Sequence, residues 1–562
     1  MSKVLRFALL GAGILFLASC KSDMTLSEDA FKVTPQILEE VAGQVPVTVD
    51  GFFPAKYFNK KAVVTITPVL QWDGGSVKGD AMTFQGEKIE GNNVIVPKKD
   101  GYAFKMNFSF PYQPEMATSE LYATFDATVK GKKVEIQPVK LADGVISTES
   151  LYQMAAANAN SAAAEDAYQR IIKQAQEANI MFIIQQANIR SSETASDAIK
   201  ALKESMSNVA GDTKNYAVEN VEVSAYASPD GGMKLNDNLA AQREKNAANY
   251  IKKEMKKSKL DADLESKYTA EDWDGFKELV EKSNLQDKDL ILRVLSMYDD
   301  PERRETEIKN LSSVYGELAD EILPQLRRAR LTLNYQIIGR SDEEIKEAYK
   351  SDAKVLSCNE LLYAATLTND KAEKKDIYTT ATKLYPNDYR AYNNLGLLAF
   401  EDGDINTAHE FYHKALAQNP NAAEIHTNLS NMLLSQGKLA EAQNHLAKAG
   451  NSVEQAQALG TSYIAQGQYA RALETLKGSN TESEALAYIM NKDYNNAKKV
   501  LNAIKNPSGN TYYLNAVIAA RTNDAAAVAQ NLKKAIAADA SLKAKAAADL
   551  EFAKFADAVK AL

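Results

Sequence analysis

A pattern of small and large residues that returns every ~34 positions runs through the C-terminal part of the chain and constrains its fold more than any other feature. Leu395-Gly396 is followed by Ala408, Tyr412, Ala415 and Pro420. One period back stand Leu361, Tyr378, Ala381 and Pro386; one period on stand Leu429, Leu433, Ala442, Leu446 and Ala449. After a shortened loop a further copy carries Leu459-Gly460, Tyr463, Gly467, Ala472 and Leu476, and weaker pairs continue around Ala497 and Leu532. Small residues let the two helices of a hairpin approach, and large ones fill the gap to the next hairpin. One such unit cannot bury its apolar face alone, so successive hairpins stack. The pattern predicts an α-solenoid over residues 343–562.

These positions resemble the tetratricopeptide repeat, with Tyr392 where tryptophan usually stands. The resemblance implies a concave groove lined by the first helix of each hairpin. Asn394 and Asn428 hold equivalent positions, just before Leu395 and Leu429. In related arrays an asparagine there faces the groove and hydrogen-bonds an extended peptide, a task that suits an amide because it donates and accepts at once. Glu360 and Ala458 interrupt this ladder. The implied partner is a protein or peptide segment in the groove.

Upstream the pattern changes. Residues 31–148 read as β: Val45-Pro-Val-Thr-Val, Ala62-Val-Val-Thr-Ile-Thr, Phe104-Lys-Met-Asn-Phe-Ser-Phe and Leu121-Tyr-Ala-Thr-Phe-Asp alternate apolar with polar between Gly, Pro and Asn punctuation. Regular short strands of this kind predict a β-sandwich. Residues 149–178 read as a helical connector, because Ala155 to Gln176 is rich in Ala, Gln and Glu without glycine or proline. From 179 to 342 strand and helix alternate. Strands are expected at Ile180-Met-Phe-Ile-Ile, Val221-Glu-Val-Ser-Ala-Tyr and Leu331-Thr-Leu-Asn-Tyr-Gln-Ile, and helices over 192–207 and 235–255. That is a βαβαβ order, with residues 256–330 as a charged helical insertion before the last strand. The expected fold class is a multidomain α+β chain: an N-terminal sandwich, a βαβαβ domain and a C-terminal solenoid.

Within the middle domain Ala225-Tyr-Ala-Ser-Pro-Asp-Gly231 is followed by Asn236, Leu239, Arg243 and Tyr250-Ile251. This spacing resembles the C-terminal domain of the OmpA family without a gap. In that family an aspartate and an arginine grip the ammonium and carboxylate of diaminopimelate in peptidoglycan, and an arginine fork suits a carboxylate. The resemblance makes Ser228, Asp230, Asn236 and Arg243 the candidate peptidoglycan-binding residues. Arg243 carries over directly. Ser228 stands where the family has its aspartate and brings no charge, while Asp230 lies two residues on. The Ala-Ser-Pro-Asp-Gly loop, Glu271-Asp-Trp-Asp-Gly-Phe276 and Leu323-Pro-Gln-Leu-Arg-Arg-Ala329, with the β region and the repeats, resemble a group of Bacteroidota envelope lipoproteins associated with fimbriae, surface antigens and secretion machinery.

The N-terminus points the same way. Lys3 and Arg6 precede an apolar run from Phe7 to Leu17, the length of a signal-peptide core and too short to cross a bilayer. Leu17-Ala18-Ser19-Cys20 resembles the bacterial lipobox, which implies a leader over 1–19, a lipid on Cys20 and a tether over 20–30. Each buried methylene contributes about 0.8 kcal/mol, so three acyl chains anchor firmly. Lys21 is not the aspartate that retains many lipoproteins in the inner membrane, and this implies the outer membrane or the cell surface.

Catalytic signals are poor. His409-Glu-Phe-Tyr-His413 spells H-E-x-x-H, which on a helix puts two imidazoles on one face with a glutamate as base. The repeat register already accounts for its neighbours Ala408, Tyr412 and Ala415, and Leu416 and Asn419 stand where the longer zinc motif needs glycine and histidine. Cys358, the only other cysteine, reads as a buried thiol. The net charge of −8 gives no footprint for nucleic acid. No catalytic residue, metal or cofactor is expected. The sequence reads as a non-enzymatic, lipid-anchored scaffold for protein interactions.

Overall fold

The structure is a computed structural model that describes residues 26–285 and 287–562. Cys20 and the expected leader lie outside the described residues. The chain forms two compact units. One joins the N-terminal part through Glu165 to everything from Asn369 onward, and the other is Asp166–Thr368.

In the first unit, period-2 alternation builds two sheets around one core. Gln44–Phe53 pairs with Phe31–Thr34 and Tyr102–Pro111, and Ala62–Trp72 lies between Met82–Gly86 and Glu120–Val129. Val45, Val47, Val49 and Phe53 face inward from the first sheet, and Val64, Ile66, Leu70 and Leu121 from the second. Phe53, Phe84 and Phe104 lock the interior, with ring centroids 4.7–5.0 Å apart. Alternate burial of this kind is what a half-exposed pleated strand imposes.

The connector departs from the expectation. Only Thr148–Ala157 is helical, and the chain from Ala159 to Arg170 is neither helix nor sheet before the strand Ile171–Met181 begins. The composition of 158–170 permits a helix, but other parts of the fold take up its backbone, as described below.

The repeat region is a run of helical hairpins. Its pairs are Tyr389–Glu401 with Ile405–Gln418, Ala423–Ser435 with Leu439–Leu446, Val453–Ala465 with Tyr469–Leu476, Glu482–Met490 with Tyr494–Ala503, and Gly509–Arg521 with Ala525–Ala538. The small positions have a direct cause. A Cβ on Gly396 would lie 2.6 Å from the ring of the fully buried Tyr412, and one on Gly460 would lie 2.3 Å from Leu476.

The second unit is a four-stranded sheet in the order Ile171–Met181, Arg328–Ile338, Tyr216–Tyr226, Leu264–Thr269. The helices Asp197–Gly211 and Met233–Ser258 cover it through Ile199, Leu202, Met206, Ala247 and Ile251, against Val221, Val223, Leu331 and Leu333. Two strand expectations need correction. The first strand runs Ile171–Met181 where Ile180–Ile184 was expected, because its exposed early half carries polar residues on both faces. A further strand, Leu264–Thr269, lies inside the segment read as helical; as an exposed edge it shows no apolar alternation. The rest of that insertion is helical and packs around Phe276, Val280, Ile291 and Leu326.

Gly396→Val should lower stability by about 1–3 kcal/mol, since the buried Tyr412 ring has no room to retreat. Urea denaturation of the two proteins measures this.

Candidate functional site

The first helices of the hairpins form a groove in which the chain's own residues 148–165 lie. The sandwich sets where this segment starts. Val145–Ser147 pairs in parallel with Leu38–Glu40, and Thr148 Oγ1 donates to the Glu40 carbonyl at 2.7 Å. The buried Glu40 carboxylate accepts the Glu149 N–H at 2.8 Å and the Gly43 N–H at 2.6 Å. Burial raises its pKa, against these backbone bonds. The helix Thr148–Ala157 then lies against Ala423–Ser435, Val453–Ala465 and Glu482–Met490. Its Leu151, Tyr152 and Ala155 join the apolar cluster of Leu486, Tyr513 and Leu514.

Past the helix, the exposed-backbone problem is solved by side-chain amides. Asn158 Nδ2 donates to Glu482 Oε2 at 3.0 Å and to Ser508 Oγ at 2.9 Å. The Asn160 N–H donates to Gln457 Oε1 at 3.2 Å, and the Asn160 carbonyl accepts from Asn431 Nδ2 at 3.4 Å. The Ala162 N–H donates to Asn428 Oδ1 at 2.7 Å; its carbonyl accepts from Asn428 Nδ2 at 2.8 Å and Asn393 Nδ2 at 3.0 Å. The Ala164 N–H donates to Asn394 Oδ1 at 2.8 Å, and its carbonyl accepts from Asn394 Nδ2 at 3.1 Å. Every second residue therefore meets another hairpin, and the segment runs against the order of the array. A further amide bond, Asn428 Nδ2 to Asn393 Oδ1 at 3.0 Å, ties neighbouring helices together. Ala162 and Ala164 are 7% and 5% exposed, so their methyl groups fill the space available.

Asn394 and Asn428 thus face the groove, with an intramolecular segment as their partner. Sequence reasoning missed Asn393, Asn431 and Gln457. The asparagine pair at 393–394 and the i, i+3 spacing of Asn428 and Asn431 on one helix face were the available signals.

The second candidate lies at one end of the other unit's sheet. Tyr216–Tyr226 runs antiparallel to Arg328–Ile338 with Ala225 opposite Ala329, so the loop after Tyr226 meets Arg327 and Arg328. Ser228 Oγ donates to Asp230 Oδ1 at 2.5 Å, and Arg327 donates from Nη2 to Asp230 Oδ2 at 2.9 Å and from Nε to Ser228 Oγ at 3.2 Å. Arg328 pairs with the buried Asp272 at 2.9 Å. Burial raises the pKa of Asp272, opposed by Arg328. Arg243, 1% exposed, spends its donors on the carbonyls of Gln186, Tyr226 and Ile183 at 3.0, 2.9 and 3.3 Å. Burial, with Arg327 adding to it, pulls its guanidinium down to about 10, while Asp230 acts the other way. Asn236 Nδ2 closes the loop by donating to the Gly231 carbonyl at 2.7 Å. The structure therefore brings Ser228, Asp230, Asn236 and Arg243 to one end of the sheet and gives each a partner within the chain. Arg327, which the sequence analysis quoted only within Leu323–Ala329, is the cation beside Asp230.

His409 and His413 lie with ring centroids 4.2 Å apart, tilted by 45°, on the exposed side of their helix. Among the described residues no group of three or more His, Cys, Asp or Glu side chains is arranged to hold a metal. Cys358 is half-buried at the first turn of Cys358–Thr366, and not in the core as expected, because a first-turn residue points partly past the helix end. The other two histidines touch: His426 Nδ1 and His445 Nδ1 are 2.9 Å apart, and His426 Nε2 lies 2.9 Å from the Pro420 carbonyl.

Comparisons with known proteins agree with the repeat region. Tetratricopeptide repeat family models match residues 377–410 and 399–461. A tetratricopeptide repeat protein from Parabacteroides merdae is 16% identical, with 39% of this chain and 91% of that chain covered and a TM-score of 0.30. Pseudomonas aeruginosa pilF is 17% identical over 38% of this chain and 98% of its own, with a TM-score of 0.25. Yeast Tom70 is 13% identical over 58% and 78%, also with a TM-score of 0.25. Likenesses this distant carry no argument about partners. No curated protein matches the chain.

Two predictions follow from this geometry. Asn428→Ala leaves the Ala162 N–H buried without its acceptor and should cost about 1–3 kcal/mol in urea denaturation. Amide hydrogen exchange should speed up across 158–165 and stay slow in the helices from 509 onward. The second concerns pH. Burial and the neighbouring His426 and His413 hold His445 below the ordinary imidazole pKa. An unfolded histidine binds its proton near pH ~6.5, so on acidification the unfolded state takes up the proton first. Stability should therefore fall as pH drops from about 7 through about 6, less steeply in His445→Gln, as thermal unfolding across that range will show.

Proposed function

We propose that this chain is a non-enzymatic lipoprotein of the outer membrane or cell surface, held by a lipid on Cys20, that acts as a protein-interaction scaffold in envelope or surface assembly. The observation that carries the reading is the ladder of buried amides from Asn394 to Gln457, which holds an extended polypeptide by its backbone. A groove of that chemistry recognises main chain and small side chains, as a peptide-binding surface does. The tetratricopeptide family matches support a binding role over a catalytic one. The lipid reading rests on the Leu17–Cys20 motif.

Peptidoglycan anchoring through the middle unit is the weaker alternative. Asp230 already has Arg327 as its cation, and the Arg243 donors are committed to three carbonyls. A diaminopimelate ligand has to displace both sets.

The test is made in cells carrying the full chain. Cys20→Ser should move the protein from the membrane to the soluble fraction, and protease shaving of intact cells reports which side of the outer membrane it occupies. Chemical cross-linking of native membranes should give a discrete, stoichiometric complex. A protein that stays in the membrane without Cys20, or that runs only at its own mass after cross-linking, would sink the respective half of the proposal.

A further inference from the structure

Residues 158–165 sit in the groove as a peptide ligand does, yet they fit it imperfectly. Asn431 is fully buried; its Nδ2 reaches the Asn160 carbonyl only at 3.4 Å, and its Oδ1 has no hydrogen-bond partner. A buried acceptor left unpaired costs about 1–3 kcal/mol. Beside residues 157–161 the groove also keeps a cavity of about 660 Å³, lined by Asn158, Asn160, Phe400, Gln457, Glu482 and Lys505. The segment is thus a resident with an open flank and an unmet acceptor beneath it. Beside its bonds to Asn428 and Asn394, it has the advantage of a tether at both ends, which raises its effective concentration to order millimolar.

We propose that residues 158–165 are a displaceable resident ligand, and that the groove takes in trans an extended peptide with small side chains at the Ala162 and Ala164 positions and a hydrogen-bond donor over Asn431. The alternation of contacts fixes that chemistry. Residues at the 162 and 164 positions present N–H and C=O to Asn428 and Asn394, and only methyl-sized side chains fit there. A partner chain that also donates to Asn431 Oδ1 gains a bond that the resident cannot make. A second copy of this chain would bring the same segment with the same defect, so exchange between copies offers no such gain. This inference rests on the scaffold reading and narrows its partner.

The experiment uses the full chain and a fluorescent peptide with the sequence of residues 158–165, Asn-Ala-Asn-Ser-Ala-Ala-Ala-Glu. Ala162→Pro removes the resident N–H that Asn428 accepts and leaves the groove side chains unchanged. Anisotropy titration should show the peptide binding Ala162→Pro at least about tenfold more tightly than the wild type, the resident then being a weaker competitor. Adding Asn428→Ala should remove that gain, and a peptide with leucine at the 162 and 164 positions should bind neither protein. Equal binding to wild type and Ala162→Pro, or indifference to Asn428→Ala, would overturn the proposal. Should Ala162→Pro fail to fold, Asn158→Ala, which frees the start of the segment from Glu482 and Ser508, replaces it with the same expected order. If neither folds, the segment is an obligate part of the core and the proposal is wrong. Dimers formed by the wild type through segment exchange, seen as a concentration-dependent mass, would also overturn it in favour of a second copy. Failure of these peptides alongside a stoichiometric cross-linked complex in membranes would leave the scaffold reading standing without this groove.

Discussion

Backbone that leaves helix and sheet but still runs through a protein interior must find other partners for its N–H and C=O groups. Around residues 158–165 those partners are asparagine and glutamine side chains, spaced so that each second residue meets a new hairpin. An amide carries a donor and an acceptor side by side, so one side chain closes both bonds of a residue, as Asn428 does for Ala162 and Asn394 for Ala164. The organisation of the first unit depends on this exchange. It lets a segment leaving the sandwich cross the repeat array, and so makes one compact body from two stretches far apart in sequence. Glu40 at the helix start, and Arg521 between Glu39 and Glu551, add charged ties where the same two stretches meet.

The middle unit handles buried polarity by a different means. Two charge pairs sit at one end of the sheet, Arg327 with Asp230 and Arg328 with Asp272, while Arg243 is held by three carbonyls. Breaking such a pair leaves a buried charge uncompensated, which is costly, so the loop from Ala227 to Gly232 is held from below. The same closure that orders the loop withdraws the groups that an ionic ligand would need. Ser228 bridges the pair, donating to Asp230 and accepting from Arg327.

The fold was legible where physical chemistry writes a period. Helical hairpins favour glycine or alanine where helices touch, and Gly396 under Tyr412 shows why a larger residue has to displace its neighbour. The inward strands of the sandwich show in Val45, Val47 and Val49 because one face of each is buried. The period vanishes where both faces are exposed. Leu264–Thr269 and the first half of Ile171–Met181 are edge strands of that kind, and their hydrogen bonds leave no trace in hydrophobicity. The asparagines of the groove could be picked out by register, yet nothing in their own positions says what they hold.

The sequence by itself determined the repeat register, the inward residues of the sheets, the groove asparagines and the lipobox-like Cys20, because each is a local pattern of size or chemistry. Only the tertiary structure decided the rest. Residues 158–165 have a helix-permitting composition, but backbone bonds to distant amides outweigh local preference, and no neighbour along the chain records that competition. Arg327 likewise becomes the partner of Asp230 only because strand register sets two remote segments side by side. Periodicity reports what faces a core, whereas long-range polar pairing depends on which parts of the chain meet.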